Sequence, residues 1–235
     1  MARRTRQLAS ALEAPRGWGG RRVGAGRKRK PGASRTLPHV SRARFKTLPA
    51  HLTLRLRSDT PSLRTSGIVH AIERTFVRGC VRPGFRLAQY SLQGTHVHLI
   101  VEAQDRDALG CGMKAIGSRI ARAVNRIARR TGPVLADRYH LRLLPTPKEV
   151  RAALRYVLLN SRRHLGRVRA MLTGVRLDPA SSARWFDGWT RESLLGMDEG
   201  SDGARARPPV ARPRTWLLAV GWRRHGLLDP GDVPG

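Results

Sequence analysis

Acidic residues are scarce in this chain, which has 16 Asp and Glu against 46 Lys and Arg and a formal net charge of +30. This imbalance points to a polyanion partner, meaning nucleic acid. Codon bias in a GC-rich genome would raise the number of arginines, but it would not remove Asp and Glu. Arginine supplies most of the positive charge, and its guanidinium matches phosphate geometry better than the lysine ammonium does.

Cysteines and long apolar runs are also scarce. Cys80 and Cys111 are the two cysteines and form no C-x-x-C pair, which excludes a zinc knuckle or a disulfide framework. No apolar run approaches the ~18 residues of a membrane span, and the N-terminus lacks the apolar core of a secretory signal. A phosphate-binding P-loop is missing as well. We therefore expect a cytoplasmic protein with no membrane partner and no nucleotide cofactor.

The N-terminal part of the chain is strongly basic. Residues 1–46 contain a single acidic residue, Glu13, among many Arg, Lys, Gly and Pro. Such a composition buries too little apolar surface to offset the entropy of ordering, so it predicts a disordered basic tail. Its densest basic run suits non-specific contact with phosphates, although a solvated tail would have the same composition. That run is Arg27, Lys28, Arg29 and Lys30.

The C-terminal part is irregular in pattern and rich in tryptophan. We assign residues 47–175 to one folded domain and 176–235 to a C-terminal extension. A flexible linker is predicted near 199–214, where Gly, Arg and Pro are dense. Beside arginines, the tryptophans of the extension can either stack unpaired bases or pack a small satellite core. These residues are Trp185, Trp189, Trp216 and Trp222.

From residue 51 onward, apolar residues recur with strand and helix periods. The pattern predicts a strand at 51–57, a helix from 61, two hairpin strands at 85–102, a helix at 107–130, a strand at 134–144 and a helix at 147–165. This order is that of the split βαβ, or ferredoxin-like, arrangement with one helix added. We therefore predict an α+β fold, an antiparallel sheet with helices on one face and an added C-terminal helix.

Two of the predicted helices begin with capping signals. Thr60 and Pro61 place a hydroxyl cap before a proline at the first helical position. Thr146-Pro147-Lys148-Glu149 is a capping box with proline in the same position. Both signals predict the start of a helix directly after the threonine.

One predicted strand carries His96 and His98. Because side chains alternate along a strand, both imidazoles face the same side, roughly 7 Å apart at the backbone. Neutral imidazole is a common metal ligand, so the pair can converge on one divalent ion. The competing interpretation is two half-exposed histidines without a metal, since so short a motif often matches by chance.

The predicted helix at 107–130 carries a row of arginines. Its apolar residues repeat at spacings of three and four and form one buried stripe. Arg119, Arg122, Arg126 and Arg130 follow the same spacing on another face. In a chain this basic we interpret the row as a phosphate-binding surface, with an ordinary solvated face as the alternative.

Three motifs together resemble a known family. They are the hairpin at 85–103, the stretch Asp137-Arg138-Tyr139-His140 and the stretch Tyr156-Val157-Leu158-Leu159-Asn160. The hairpin resembles the core of the single-tyrosine HUH transposases, in which U is a bulky apolar residue. The two later stretches resemble motifs of the REP-associated tyrosine transposase branch. The stretch from Asp178 to Trp189 is also similar to relatives of that branch, so the resemblance covers roughly residues 36–225.

The resemblance implies a divalent metal site and a tyrosine nucleophile. It places Mg²⁺ or Mn²⁺ on His96, His98 and Asn160, and the nucleophile on Tyr156. Tyr156 and Asn160 lie four residues apart, on one face of the predicted helix. The third ligand is glutamine in better-known members, so the shorter asparagine is a departure. Tyr139 is the rival hydroxyl, but no amide stands four residues after it.

The activity that the resemblance implies is that of a transposase. Such an enzyme binds single-stranded hairpin DNA, and cleaves and rejoins it through a 5′-phosphotyrosine. A phosphodiester repels an attacking phenolate, so a cation that neutralises the phosphate oxygens fits this chemistry. Arg138 and Arg163 complete the candidate DNA-binding residues. The resemblance also implies a bacterial, nucleoid-associated protein that acts as a monomer or a homodimer.

Two other functions remain open. One is a host-retained, sequence-specific DNA-binding protein of the same fold that no longer cuts. The other is an RNA-binding split βαβ module, although its aromatic strand signature is missing. The combination of two histidines, a tyrosine and an asparagine favours the enzyme.

Deleting residues 1–46 should weaken binding to any nucleic acid without changing sequence preference, because phosphate contacts position a protein but do not specify sequence. The slope of log affinity against log salt should flatten by about 0.7 for each lost contact to a single strand. Fluorescence anisotropy of the full chain and the deletion at several salt concentrations measures this slope. An unchanged slope would show that the tail makes no phosphate contacts.

Overall fold

The computed structural model describes residues 47–161, 177–190 and 207–232. The predicted basic tail, the first half of the predicted linker and Arg163 lie outside these residues, so the assignments made there stay predictions. The four basic residues predicted to contact DNA in the tail also lie outside the described residues, namely Arg27, Lys28, Arg29 and Lys30. Within the described ranges, no helix is both long enough and apolar enough to cross a membrane.

The sheet and its main helices come from one continuous part of the chain. In order they are β1 (Ala50–Arg55), α1 (Ser66–Val77), β2 (Val81–Arg82), β3 (Phe85–Leu92), β4 (His96–Ala103), α2 (Arg106–Ile127), β5 (His140–Leu143) and α3 (Pro147–Leu158). The C-terminal extension adds a 3₁₀ turn (Ser182–Trp185), a short helix α4 (Trp216–Ala219) and a second 3₁₀ turn (Gly221–His225).

The strands form a 5-stranded antiparallel sheet in the order β2-β3-β4-β1-β5. β4 lies between β1 and β3, which are joined through α1, and this insertion defines the split βαβ arrangement. The predicted α+β class with an antiparallel sheet is therefore confirmed.

Several predicted boundaries are wrong. The first helix begins at Ser66 after a Thr65 cap, not at residue 61. The intervening Leu63 is fully buried, and its N–H donates to the carbonyl of Gly94, so this stretch is a loop folded onto the core. The strand predicted at 134–144 is observed only over β5. Leu135, within the predicted range, forms an isolated bridge with Leu56. The short β2 was not predicted, and α3 ends at Leu158 rather than near residue 165.

The two faces of the sheet are covered by different helices. Val97 and Leu99 of β4 pack into the main core with α1 and α2. Ile100, in the opposite phase, packs into a second core with Val150 and Leu154 of α3. The predicted sheet with helices on one face and an added C-terminal helix is thus confirmed, and the added helix packs on the second face.

The C-terminal extension is hydrogen-bonded to the outer edge of β3. The N–H of Leu92 donates to the carbonyl of Ala180 at 2.8 Å, and the N–H of Ala211 donates to the carbonyl of Leu87 at 2.8 Å. Residues 207–214, the described half of the predicted linker, are therefore fixed to the sheet, which their composition does not reveal.

Two carboxylates anchor the same extension. The Asp178 side chain is 1% exposed and accepts two hydrogen bonds from the Arg64 guanidinium, at 2.9 and 2.8 Å. Glu102, buried on β4, accepts from the backbone N–H groups of Arg214 and Thr215, both at 2.8 Å, at the start of α4. Both interactions join the extension to the sheet domain rather than leaving it as an appendage.

The predicted threonine cap at the start of α3 forms, and the Glu149 carboxylate reaches back to the Thr146 hydroxyl. Thr146 Oγ1 accepts from the N–H of Glu149 at 3.2 Å and donates to Glu149 Oε2 at 2.8 Å. Pro147 occupies the first helical position. The hydrogen bond from Thr146 lowers the pKa of Glu149 below its usual range. This cap fixes where α3 begins and therefore which of its side chains face the sheet.

Replacing Thr146 with alanine should lower the free energy of unfolding by about 1 kcal/mol, the usual cost of removing a helix N-cap. Thr146→Ser keeps the hydroxyl and should remain close to wild type. Urea denaturation followed by circular dichroism measures both variants. Equal stability of the alanine variant and wild type would show that the box does not hold the helix.

Candidate active site

β4 presents both predicted histidines on the face that α3 covers. His96 and His98 share the phase of Ile100, while Val97 and Leu99 face the main core. The two imidazole centroids are 4.7 Å apart. His98 is buried and His96 is half-buried. The structure thus brings together the pair that the alternation predicts.

β1 places two further polar side chains against His98, and neither is among the site residues predicted from the sequence. Thr53 lies opposite His98 in the antiparallel register. The Nδ1 atom of His98 is 3.2 Å from Thr53 Oγ1 and 3.2 Å from His51 Nε2. The sequence does contain a sign of this contact, because His51 and Thr53 alternate with leucines along β1 and therefore face away from the leucine side of the strand.

Hydrogen bonds at Nδ1 determine which nitrogen of each histidine can coordinate a metal. Thr95 Oγ1 lies 3.3 Å from Nδ1 of His96, and Nδ1 of His98 contacts β1 as described. Metal-bound histidines commonly donate their second ring N–H in this way, which fixes the tautomer and the ring orientation. Nε2 is therefore the nitrogen through which His96 and His98 can coordinate.

His51 is a neutral partner for His98. Burial first, and then the charges of Arg142 and His140, lower the pKa of His51 to about 4. The ring is therefore uncharged at neutral pH, and its Nε2 can accept the proton of His98 Nδ1. This arrangement places the proton of His98 on Nδ1 and makes Nε2 the nitrogen suited to coordinate a metal.

α3 brings Tyr156 over the histidines. A stripe of buried apolar residues holds the helix against the sheet. The Tyr156 ring centroid lies 5.0 Å from that of His98 and 5.7 Å from that of His51, with both contacts edge-on. Tyr139, the rival hydroxyl, packs against the main core on the other face. Of the two tyrosines weighed from the sequence, the structure thus places Tyr156 beside the histidines.

Asn160 is 1% exposed. Within the described part of the chain, neither its amide nitrogen nor its amide oxygen has a hydrogen-bond partner. Each buried polar group left unsatisfied costs about 1–3 kcal/mol, so an orphaned amide of this kind requires an explanation. A ligand that engages the amide would supply one.

Tyr156 and Asn160 do not lie on one continuous helix. α3 ends at Leu158, and Leu159 adopts φ −109 and ψ 12 before helical geometry resumes at Asn160. The prediction that one helix face carries both side chains is therefore wrong in this respect. The break at Leu159 separates the helix that carries Tyr156 from the helical residues that begin with Asn160.

The donor set fits a divalent cation. His96 and His98 supply two imidazole nitrogens, and Asn160 supplies a buried amide oxygen. No group of three or more His, Cys, Asp or Glu side chains in the described ranges could hold a metal, so a metal on His96 and His98 would need a further ligand of another type. Two nitrogen ligands suit Mn²⁺ better than Mg²⁺, because magnesium prefers oxygen.

The predicted DNA-binding arginines of α2 do not lie at this site, because α2 covers the opposite face of the sheet. Arg119 is partly buried, and its Nη1 donates to the carbonyl of Thr75 at 3.3 Å, so it links α2 to the end of α1. Arg122 and Arg126 are exposed on α2, and Arg138 is exposed before β5. These three remain candidates for phosphate contact at the surface.

The tryptophans of the extension divide between the two predicted roles. Trp189 and Trp222 are buried with Phe186 in the second core, so packing accounts for them. Trp216 is 49% exposed, and the Arg224 guanidinium lies 4.8 Å from its ring centroid. Base stacking therefore remains open for Trp216.

No family model and no curated protein matches the sequence. Solved structures similar to it include a REP-associated tyrosine transposase bound to a REP hairpin, with a TM-score of 0.44 and 16% identity over 55% of this chain and 74% of that one. Another is a provisional transposase from Deinococcus radiodurans R1, with a TM-score of 0.35 and 15% identity over 45% of this chain and 85% of that one. The first belongs to the branch that the sequence motifs resemble. At these identities and TM-scores, the likeness says nothing about what this chain binds or cuts.

Asn160→Leu should raise the stability of the metal-free protein by about 1–3 kcal/mol, because leucine removes an unsatisfied amide at similar volume. The same change should abolish the increase in Tm that Mn²⁺ gives the wild type by binding the folded state. Calorimetry with and without Mn²⁺ measures both effects. Asn160→Asp keeps an oxygen ligand and should retain the shift. A less stable leucine variant would show that the amide is satisfied in solution.

Proposed function

We propose that this chain cleaves and rejoins single-stranded DNA through Tyr156, with a divalent metal held by His96, His98 and Asn160. One observation carries the proposal: the Tyr156 ring lies 5.0 Å from that of His98, on the face where both histidines converge. A hydroxyl nucleophile beside a metal-binding pair is the arrangement that phosphoryl transfer needs. Tyr139 packs on the other face, which supports Tyr156 as the nucleophile.

The proposed reaction exchanges one phosphoester for another. The Tyr156 oxygen attacks phosphorus, the bond from phosphorus to the 3′ oxygen breaks, and a 5′-phosphotyrosine forms. The phenol loses its proton and the departing 3′ oxygen gains one, so atoms and charge balance without water or a nucleotide. In the reverse step a 3′-hydroxyl attacks the phosphotyrosine, restores the phosphodiester and frees Tyr156.

The side chains around the nucleophile have separate tasks. His96 and His98 would hold the metal through Nε2, and Asn160 would hold it through Oδ1. When bound, a divalent metal neutralises non-bridging phosphate oxygens and fixes the line of attack. His51 and Thr53 orient the His98 ring through Nδ1. The apolar packing of α3 positions the Tyr156 hydroxyl, so the contribution of the protein is mainly orientation.

The depth of the site favours an unpaired strand. His98 and Asn160 are buried and Tyr156 is half-buried, so the scissile phosphate has to approach side chains that lie below the surface. A single strand can bend into a recess, whereas a duplex must first open. The net charge of +30 supports a nucleic acid partner. A hairpin beside the cut, and transposition as the process served, are what the sequence resemblance implies.

Tyr156→Phe removes the hydroxyl and keeps the ring packing, so it should fold and bind a hairpin oligonucleotide like the wild type but form no covalent adduct. Tyr139→Phe is the matched control and should retain the adduct. The assay incubates each protein with labelled single-stranded hairpin DNA and Mn²⁺, followed by denaturing electrophoresis. An adduct that survives Tyr156→Phe and disappears with Tyr139→Phe would overturn the assignment.

The position of the label tests the polarity of the chemistry. A 3′-end label should remain with the protein, because the downstream fragment carries the phosphotyrosine. A 5′-end label should be released on a fragment ending in a 3′-hydroxyl. Wild type that binds the hairpin but forms no adduct with Mg²⁺ or Mn²⁺ would instead support a DNA-binding protein that does not cut.

A further inference from the structure

We propose that Arg55, His140 and Arg142 form a phosphate-binding strip along which the DNA strand enters the site. These residues belong to β1 and β5 and lie on the same sheet face as the histidines. The inference rests on the function proposed above, since it assigns the path of the strand to the proposed nucleophile. None of the three was among the DNA-binding residues predicted from the sequence.

Arg55 borders the first proposed metal ligand. It is exposed, and it lies directly opposite His96 in the β1–β4 pair. Side chains that face each other across an antiparallel pair point to the same side of the sheet and are close enough to interact. The positive charge of Arg55 therefore stands next to the position where the phosphate would meet the metal.

β5 extends the same face by one strand. In its pairing with β1, Arg142 lies opposite His51 and His140 lies opposite Thr53. Arg142 and His140 are exposed, while the intervening Leu141 packs against the main core. Arg55 beside the site and Arg142 at the edge of the sheet thus place two guanidiniums on this face, with His140 between them in the register.

The phosphate-binding strip lies on the half of the sheet face that α3 does not cover. α3 packs on β3 and β4, while Arg55 at the end of β1 and His140 and Arg142 of β5 are exposed. His51 and Thr53 of β1 are half-buried. Tyr156 contacts both His51 of β1 and His98 of β4, so it stands at the border between the two halves. A single DNA strand that lies across β5 and β1 can therefore reach the Tyr156 hydroxyl while α3 stays in place.

The arginines of the strip can exchange their present contacts for phosphates. Arg142 pairs with Glu149 at 3.3 Å, and the two side chains are 64% and 31% exposed. Exposed pairs of this kind contribute little to stability. A guanidinium binds a phosphate through two parallel hydrogen bonds, which is a stronger interaction. The exposed arginines of α2 lie behind the sheet and cannot present a phosphate to Tyr156.

The test measures binding alone, in a Tyr156→Phe background, with a short fluorescent single-stranded oligonucleotide that forms no hairpin. Arg55→Ala with Arg142→Ala should weaken binding and flatten the salt slope by about 0.7 for each lost phosphate contact. Arg55→Lys with Arg142→Lys should keep most of the slope, because the charge remains. Arg74→Ala with Arg78→Ala removes the same charge from exposed positions at the end of α1 and should bind like the parent.

Unchanged affinity and slope in the strip variant would overturn the proposal, and so would an equal loss in the α1 control. Circular dichroism checks that each variant is folded, and all four positions are exposed. Failure of the proposed cleavage is distinguishable from failure of the strip. If wild type forms no adduct while the strip variant loses binding, the strip stands and the nuclease proposal does not.

Discussion

The pairing of β1 with β4 is the constraint on which the site depends. Thr53 lies opposite His98 because Leu52 lies opposite Leu99, and both leucines are fully buried in the main core. A slip of one residue would turn every side chain of β1 to the other face, placing His51 in the apolar core and leucines beside His98. The apolar packing on one side of the sheet therefore fixes the polar chemistry on the other.

Local features of the fold and site could be predicted from the sequence, because they depend on neighbouring residues. Alternation along β4 predicts the shared face of His96 and His98, and the capping box predicts the start of α3. The partnership of His51 with His98 could not be predicted, because these residues are 47 positions apart and meet only through strand register. A histidine in the polar phase of a strand is a weak signal until its neighbouring strand is known.

Other errors arose where tertiary contacts override local signals. Thr60 and Pro61 have the residue types of a helix start, but burial of Leu63 holds that stretch in a loop and delays α1 to Ser66. The apolar spacing of the last helix continues past Leu159, so periodicity could not reveal the break there. The spacing of the α2 arginines correctly predicts that they lie on a helix. Which side of the sheet that helix covers follows from the topology and not from the spacing.

The hydrogen bonds from the C-terminal extension to β3 have a consequence for how the protein can be shortened. A fragment ending at residue 175, where composition places the domain boundary, would lose the backbone partners at Ala180 and Ala211 and the carboxylate of Asp178. The outer edge of β3 would then offer unsatisfied N–H and C=O groups, which recruit strands from other molecules and promote aggregation. The smallest soluble form of this protein therefore has to include residues well beyond the sheet domain, because the extension protects the sheet from self-association.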